Sequence, residues 1–370
     1  MRIGFNARLL TSPDLRGFNR YTAELARALA ATGRAEVVLF SDGPIHPAHG
    51  LSSLRAVVAA VRPQFRWQHL WLPAQIRRER LDLFHAPAHW GIPLRCSCPC
   101  VATIHDVADR EMPAAPRGAL AVVARHAFEE ALVVRRARRI ITVSQWSAAS
   151  LRRRLGVSGD RIAVTVEGAA AAFGPVAPER VVTARAEAGL PERYFLYVGG
   201  FEPRKNVGAL VRALAALPAE ERIPVALVGG DRSGAAALLG DAARAGVASS
   251  VLSLGLLDDE RLAALYSGAL AVLVPSWVEG FGLPVVEAMH CGTPAIVADA
   301  ASLPEVAGDA ALTFPPAEPV ALARHMARLA GDPALRATLA ARARERAARF
   351  TWARAAEQTI AIYEEVLGGS

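Results

Sequence analysis

Glu279 and Glu287 stand with seven residues between them, around the string Gly280-Phe281-Gly282-Leu283-Pro284. An ionised carboxylate accepts hydrogen bonds, and sugars and riboses present hydroxyl donors in adjacent pairs. Each such bond to a charged acceptor is worth about 1.5–3 kcal/mol. The competing reading is that both acids decorate the start of a helix, whose dipole favours negative charge. Their setting argues for the first reading. The apolar run 270–274 reads as a buried strand, and Gly280 and Gly282, lacking Cβ atoms, let the backbone approach a ligand closely. Pro284 suits a first helical position and Gly292 a C-terminal stop. The pattern predicts a strand, a turn carrying Glu279, and a helix carrying Glu287 about one turn in. Ligands of open α/β sheets bind at that carboxyl edge.

A second constellation comes after the apolar run 194–198. Gly199-Gly200-Phe201-Glu202-Pro203-Arg204-Lys205-Asn206 sets two adjacent cations at a strand end, with Asn206 suited to cap a helix starting at Val207. Helix N-termini attract anions. Arginine grips phosphate oxygens bidentately, and lysine supplies a point charge. A solvated basic turn is the alternative.

Three further stretches sit where strands give way to helices. His105 and Asp106 end the run 100–104 and so fall at the same kind of sheet edge, although a lone histidine there is commonly structural and Asp106 can cap the next segment. Gly17-Phe18-Asn19-Arg20-Tyr21 joins the first strand to the first helix; Gly17 permits a tight turn against a ligand, and an ordinary turn has the same composition. Ser144, after the run 139–143, can cap the next helix. Leu257 lies in the turn 254–259, between another strand and helix.

The elements that must hold these residues alternate along the chain. Strand-like runs occur at 2–5, 36–40, 82–85, 100–104, 139–143 and 162–166, then at 194–198, 223–228, 251–254, 270–274, 294–298 and 310–314. Helical patterns separate several of them. This βαβ rhythm predicts an α/β chain with parallel sheets covered on both faces. At 370 residues the length suits two domains, joined near 168–178 where Ala, Gly and Pro replace periodic pattern. The last stretch, 352–367, is amphipathic and needs an apolar partner outside the second domain.

The net charge of +7 fits nucleic acid, an anionic membrane face or an anionic substrate, or arginine-rich composition alone. Trp67-Gln68-His69-Leu70-Trp71-Leu72-Pro73 running into Arg77–Arg80, and 133–139, read as membrane-facing or as core faces backed by solvated ones. No apolar run approaches the ~18–20 residues of a membrane span, and the N-terminus reads as a strand rather than a signal peptide, so a cytoplasmic protein is expected, possible membrane contact being peripheral. Cys96, Cys98 and Cys100 lack zinc spacing and read as reduced structural thiols near a strand. A dinucleotide oxidoreductase needs Gly-x-Gly-x-x-Gly opening a helix, which neither Gly199-Gly200 nor Gly229-Gly230 supplies. A nucleic-acid binder needs aromatics interleaved with basic residues, and the tryptophans are scattered; no nucleic-acid partner is expected.

The Glu-(seven residues)-Glu string, with Gly-Phe-Gly-Leu-Pro inside and Glu287-Ala288-Met289 leading to Cys291-Gly292-Thr293-Pro294, resembles the donor-site signature of retaining glycosyltransferases of family 4. The resemblance implies the GT-B fold: two Rossmann-like, doubly wound domains facing a cleft, with 1–172 plus 353–370 on the acceptor side and 173–352 on the donor side. It implies that Glu279 meets the transferred sugar and Glu287 the nucleotide ribose. Arg204 and Lys205 match the diphosphate loop together with Gly199, although many members carry arginine where this chain has Gly200. Gly17, Leu257, Gly280, Phe281, Gly282 and Leu283 become donor contacts, His105 lies near the donor sugar, and Ser144 matches a cleft-facing position. Further implications are a nucleotide-sugar donor, a glycan or lipid-linked acceptor, cell-surface polysaccharide synthesis, and same-face substitution without a metal or other cofactor.

Overall fold

The computed structural model of the chain describes residues 1–112, 120–230 and 232–369. Its backbone separates into two units. Met1–Val107, Ala114–Glu167 and Thr351–Ser370 form one; Ala108–Pro113 and Gly168–Phe350 form the other. Apart from the short excursion that begins at Ala108, the chain changes unit at Glu167–Gly168, at the start of the expected join 168–178, and returns at Phe350–Thr351; the domain bounds expected above are 172–173 and 352–353.

In the first unit the β-branched runs become β1 (Arg2–Asn6), β2 (Glu36–Ser41), β3 (Arg55–Val58), β4 (Leu83–Ala86), β5 (Cys100–Thr103), β6 (Arg139–Thr142) and β7 (Ile162–Val164). They form one sheet in the order β3-β2-β1-β4-β5-β6-β7, parallel throughout. β1, β4 and β5 are buried almost end to end, because helices cover both faces of a parallel sheet. β3 has no counterpart among the expected strands. It is a short edge strand, mostly exposed, and an edge leaves little hydrophobic signature.

The second unit holds β8 (Phe195–Val198), β9 (Val225–Val228), β10 (Val251–Gly255), β11 (Val272–Val274), β12 (Ala295–Ala298) and β13 (Ala311–Phe314). The order is β10-β9-β8-β11-β12-β13, again all parallel. From β8 the chain first winds outward through β9 and β10, then returns to β11 on the other side of β8 and winds outward the opposite way. The connections leaving β8 and β11 therefore diverge, and a crevice opens at their carboxyl ends. Both sequence constellations, 199–206 and 275–282, leave the sheet at this point.

The helix Trp352–Gly368 belongs to the first unit and packs on the helix Gly17–Ala31. Its apolar stripe, including Ala355, Ile360, Ile362, Tyr363 and Val366, is buried, and Arg354, Glu357 and Glu364 face solvent. Burial of each large apolar side chain contributes about 1.5–3 kcal/mol. Polar groups on this interface are also paired. Tyr363 Oη lies 2.5 Å from His85 Nδ1, His85 Nε2 lies 2.9 Å from Thr103 Oγ1, and Tyr21 Oη lies 2.9 Å from the same hydroxyl. Burial, with His105 nearby, pushes the His85 ring down to about 3, so it is neutral near pH 7.

Most of the stretch entertained above as membrane-facing is core: Trp67, Leu72, Ile76 and Val133 are buried. The apolar side chains that do face solvent are others. Phe65 and Leu70 are 55% and 65% exposed, with Leu94 and Phe128 also open. They gather about His69: the Phe65 ring lies 4.4 Å from it, the Phe128 ring 6.5 Å, and the Leu94 amide donates to its Nδ1. Among the described residues, no helix is long and apolar enough to cross a membrane.

Candidate active site

Glu279 is the hub of the crevice in the second unit. The backbone leaving β11 turns at residues 275–282, and the helix Leu283–His290 starts after Gly282, whose φ of +106° suits a residue without a side chain. Pro284 occupies the first turn. The buried hydroxyl of Ser302 donates to the carbonyls of Glu279 and Phe281, 2.9 Å each, which fixes the turn from below. Glu279 is held at both oxygens. Lys205 Nζ lies 2.7 Å from Oε1 and 3.0 Å from Oε2, Arg204 Nη1 lies 3.2 Å from Oε2, and Ser276 Oγ donates to Oε1 at 2.6 Å. Burial pushes this carboxyl up, but Lys205 and Arg204 outweigh it and, with the two hydrogen bonds, leave it below its ordinary value.

The cations come from the turn after β8. Pro203–Lys205 form a single helical turn, and Trp277 donates its backbone N–H to the Arg204 carbonyl at 2.8 Å. Arg204 also reaches the Val278 carbonyl. The two turns are thus bolted together before any ligand arrives. Asn206 does not cap the helix after it, contrary to expectation. That helix runs Gly208–Ala215 with no side-chain cap, and Asn206 adopts a left-handed conformation with φ of +51°. Its amide donates instead to the carbonyls of Pro275 and Pro316, 3.0 Å each, and its oxygen accepts from Arg212. It serves as a rivet between the β8 and β11 turns. Gly200, where many family members carry arginine, sits against the Glu202 carboxylate; a Cβ there would lie 2.3 Å from Oε2. Glu202 takes up the space that larger side chain would enter.

Glu287 lies on the helix after the turn, buried, and accepts from Tyr266 Oη at 2.9 Å. Gly199, Arg204, Lys205, Glu279, Gly280, Phe281, Gly282 and Leu283 all lie on the two turns that meet here. Leu257 lies farther off, after the edge strand β10 and before the helix Asp259–Gly268 that Asp258 caps. Lys205 and Arg204 both converge on Glu279, a pair of cations suited to a ligand anion as well. Among the described residues, no three His, Cys, Asp or Glu side chains cluster as a metal site requires.

His105 lies in the first unit, past the end of β5. It is buried, its Nδ1 is 2.9 Å from Glu167 Oε1, and its Nε2 is 3.4 Å from the Pro87 carbonyl. The rings of Tyr21 and Phe18 pack on it at 4.3 and 4.9 Å. Phe18 is next to Gly17, which opens its helix at φ of +51° with open space where a Cβ would stand. Gly17 and His105 are therefore neighbouring features of one unit. Ser144 caps the helix Gln145–Leu155, accepting from the Ser147 amide at 3.0 Å. Sequence reasoning missed Glu167, Ser276, Ser302 and Tyr266. Glu167 carried a signal: it is a carboxylate just past the last strand of its unit, between the run 162–166 and the expected join 168–178.

A family model described as glycosyl transferases group 1 matches residues 183–346, and one described as glycosyltransferase family 4 matches residues 15–168. The chain is 30% identical over 385 residues to O-antigen chain mannosyltransferase B of Escherichia coli, covering 98% of this chain and 100% of that protein. It is 33% identical over 317 residues to a D-inositol 3-phosphate glycosyltransferase of Salinispora arenicola, covering 81% of this chain and 68% of the relative. Among solved structures, sucrose-phosphate synthase of Thermosynechococcus elongatus matches with a TM-score of 0.79 at 26% identity, covering 100% of both chains. The chain belongs to the group 1 glycosyltransferases of GT-B fold. It is a glycosyltransferase, which displaces the oxidoreductase and nucleic-acid alternatives.

Proposed function

We propose that this glycosyltransferase moves a hexose of the mannose, rhamnose or glucose type from a nucleotide-diphosphate donor to a glycan or lipid-linked acceptor in cell-surface polysaccharide synthesis. It does so with retention at the anomeric carbon and without a metal ion or other cofactor. The observation that carries the reading is the hub of Glu279, Lys205 and Arg204 at the point where β8 and β11 part. As the bond from the anomeric carbon to phosphate breaks, its electron pair passes to the phosphate oxygen. Lys205 and Arg204, already held in place, receive that charge. Glu279, kept ionised by the same cations, accepts hydrogen bonds from sugar hydroxyls, and Glu287 from the ribose. The acceptor hydroxyl attacks the face the phosphate leaves, and its proton passes to the departing phosphate oxygen. The parts assigned to His105, at the transferred sugar, and to Gly17 and Leu257, at the donor, rest on the family resemblance. Contact with an anionic membrane from the cytoplasmic side is part of the same proposal.

GDP-mannose is the first donor to test, because a relative matched along its whole length is named a mannosyltransferase. The experiment offers UDP-, GDP-, ADP- and dTDP-sugars, glycan acceptors and a chelator, and reads the product anomer by NMR. Transfer from one donor that persists in chelator and keeps the donor's anomeric configuration supports the reading. Inversion, or strict dependence on added metal, overturns it.

A further inference from the structure

Three thiols have no part in glycosyl transfer. Cys96, Cys98 and Cys100 alternate through the segment that enters β5, at the sheet edge opposite to the one where His105 lies. The backbone bends at Ser97 and Cys98 before β5 begins at Cys100, and all three cysteines line one concavity. Cys96 Sγ and Cys98 Sγ lie 3.7 Å apart. Cys96 and Cys98 are half-buried, while Cys100 is buried within the strand. The cluster lines an open concavity of about 600 Å³ together with Arg136, Arg138 and Arg161. Among the described residues, no three His, Cys, Asp or Glu side chains are placed to hold a metal ion.

The three are not equivalent. Cys100 Sγ is directed at the Cys98 carbonyl, 3.9 Å away, and in the Cys96–Cys98 contact either sulfur can donate. Interaction with Cys100 and Cys98 lowers the Cys96 thiol from its ordinary value, against the effect of burial and with help from Arg136. The same interaction pushes the Cys98 and Cys100 thiols up. Cys96 is thus the more acidic member of a sulfur pair 3.7 Å apart, both half-buried and lining the same concavity as the arginines. A thiolate that is accessible, in a cationic setting and next to a resolving thiol is the arrangement oxidants select.

We propose that Cys96 is a peroxide-reactive thiol and Cys98 its resolving partner, so that mild oxidation closes a Cys96–Cys98 disulfide in the arginine-lined concavity. The Cys96 sulfur attacks one oxygen of hydrogen peroxide; an S–O bond forms, the O–O bond breaks, and hydroxide leaves and is protonated to water. Cys98 then attacks the sulfenic sulfur; the S–S bond forms, the S–O bond breaks, and the Cys98 proton passes to the departing hydroxide, which leaves as a second water. Two thiols are oxidised and one peroxide is reduced to two waters. The sulfurs must close from 3.7 Å to about 2.05 Å.

Cys291 is an internal control. It is buried in the second unit, and burial pushes its thiol up to about 12, so it stays protonated at neutral pH. The full chain is exposed to graded hydrogen peroxide, quenched, alkylated and mapped by mass spectrometry. Cys96 and Cys98 are expected to lose alkylation together, at peroxide at least about tenfold below that needed for Cys291, and to regain it with dithiothreitol. In Cys98→Ser, a dimedone adduct is expected on Cys96. Reaction of Cys96 no faster than Cys291, no adduct in Cys98→Ser, or a Cys96–Cys100 disulfide in place of Cys96–Cys98 would each overturn the assignment. The readout is sulfur chemistry and needs no donor or acceptor, so its failure is distinct from failure of the proposed transfer.

Discussion

Glu279 is buried, and the groups that keep it ionised are a pair of cations that the proposed reaction also assigns to the donor. Lys205 is the closer of the two and the less exposed. If the diphosphate draws on these cations in the transition state, each is worth most when the leaving charge is greatest. Lys205→Ala is then expected to lower kcat by about 10²–10³, the usual cost of one preorganised donor, while Arg204 and Ser276 still hold Glu279. Glu279→Gln keeps the side chain's shape and an oxygen for Ser276 but removes its charge. It is expected to lower kcat at least about tenfold, through lost orientation of the sugar. It should also lose more stability than Lys205→Ala, because two neighbouring cations are left without their anion; breaking a buried pair costs about 3–5 kcal/mol. Single-turnover rates and urea midpoints separate the two effects. Turnover near wild type in either variant removes the assignment of this site.

At the level of elements, the returning helix Trp352–Gly368 is tied to its unit through a histidine that has to stay neutral. His85 binds protons near pH 6.5 in an unfolded chain but only near 3 in the folded one. Between those values the unfolded state holds more protons, so stability rises with pH across the window and falls as pH drops from 6.5 toward 3. Each tenfold difference in proton affinity is worth about 1.4 kcal/mol. His85→Asn is expected to be less stable at pH 7 but to show a flatter fall from pH 7 to 4, measured by urea unfolding at each pH. Parallel curves for the two proteins would contradict the buried neutral ring. The same element shows which features the sequence makes legible. Its apolar stripe announced a long helix seeking a partner, and each buried parallel strand announced itself as a continuous apolar run. The edge strand β3 did not, because its Arg55 and alternately exposed neighbours face water. Glu279, Arg204 and Lys205 were readable as types at strand ends. That Glu279 binds the cations directly was not, since it depends on β8 and β11 being adjacent despite the β9–β10 excursion between them. Asn206 misled for a related reason: its position before a helix suggested a cap, while its partners, Pro275 and Pro316, are remote in sequence.

At the scale of the whole molecule, a net charge of +7 biases the protein toward anions, but a bilayer requires apolar groups in the same place. The patch about His69 supplies them. Phe65, Leu70, Leu94 and Phe128 project from it, and exposed arginines flank them in sequence: Arg66 beside Phe65, Arg95 beside Leu94, and Arg125 one turn before Phe128. Phenylalanine and leucine enter the interfacial region while each arginine near an anionic surface contributes about 1 kcal/mol, a term that salt weakens. The protein is therefore expected to co-sediment with liposomes containing phosphatidylglycerol and not with purely zwitterionic ones, and to be released as salt rises. Phe65→Ser with Leu70→Ser should reduce binding at every salt concentration, because it removes the apolar share, whereas Arg66→Glu should reduce it most at low salt. Transfer to a soluble acceptor should be unchanged in both variants, since none of these side chains is among the contacts of the Glu279 hub or His105. Equal binding to zwitterionic vesicles, or binding indifferent to salt and to the phenylalanine and leucine changes, would leave the patch without a membrane role while leaving the proposed chemistry intact.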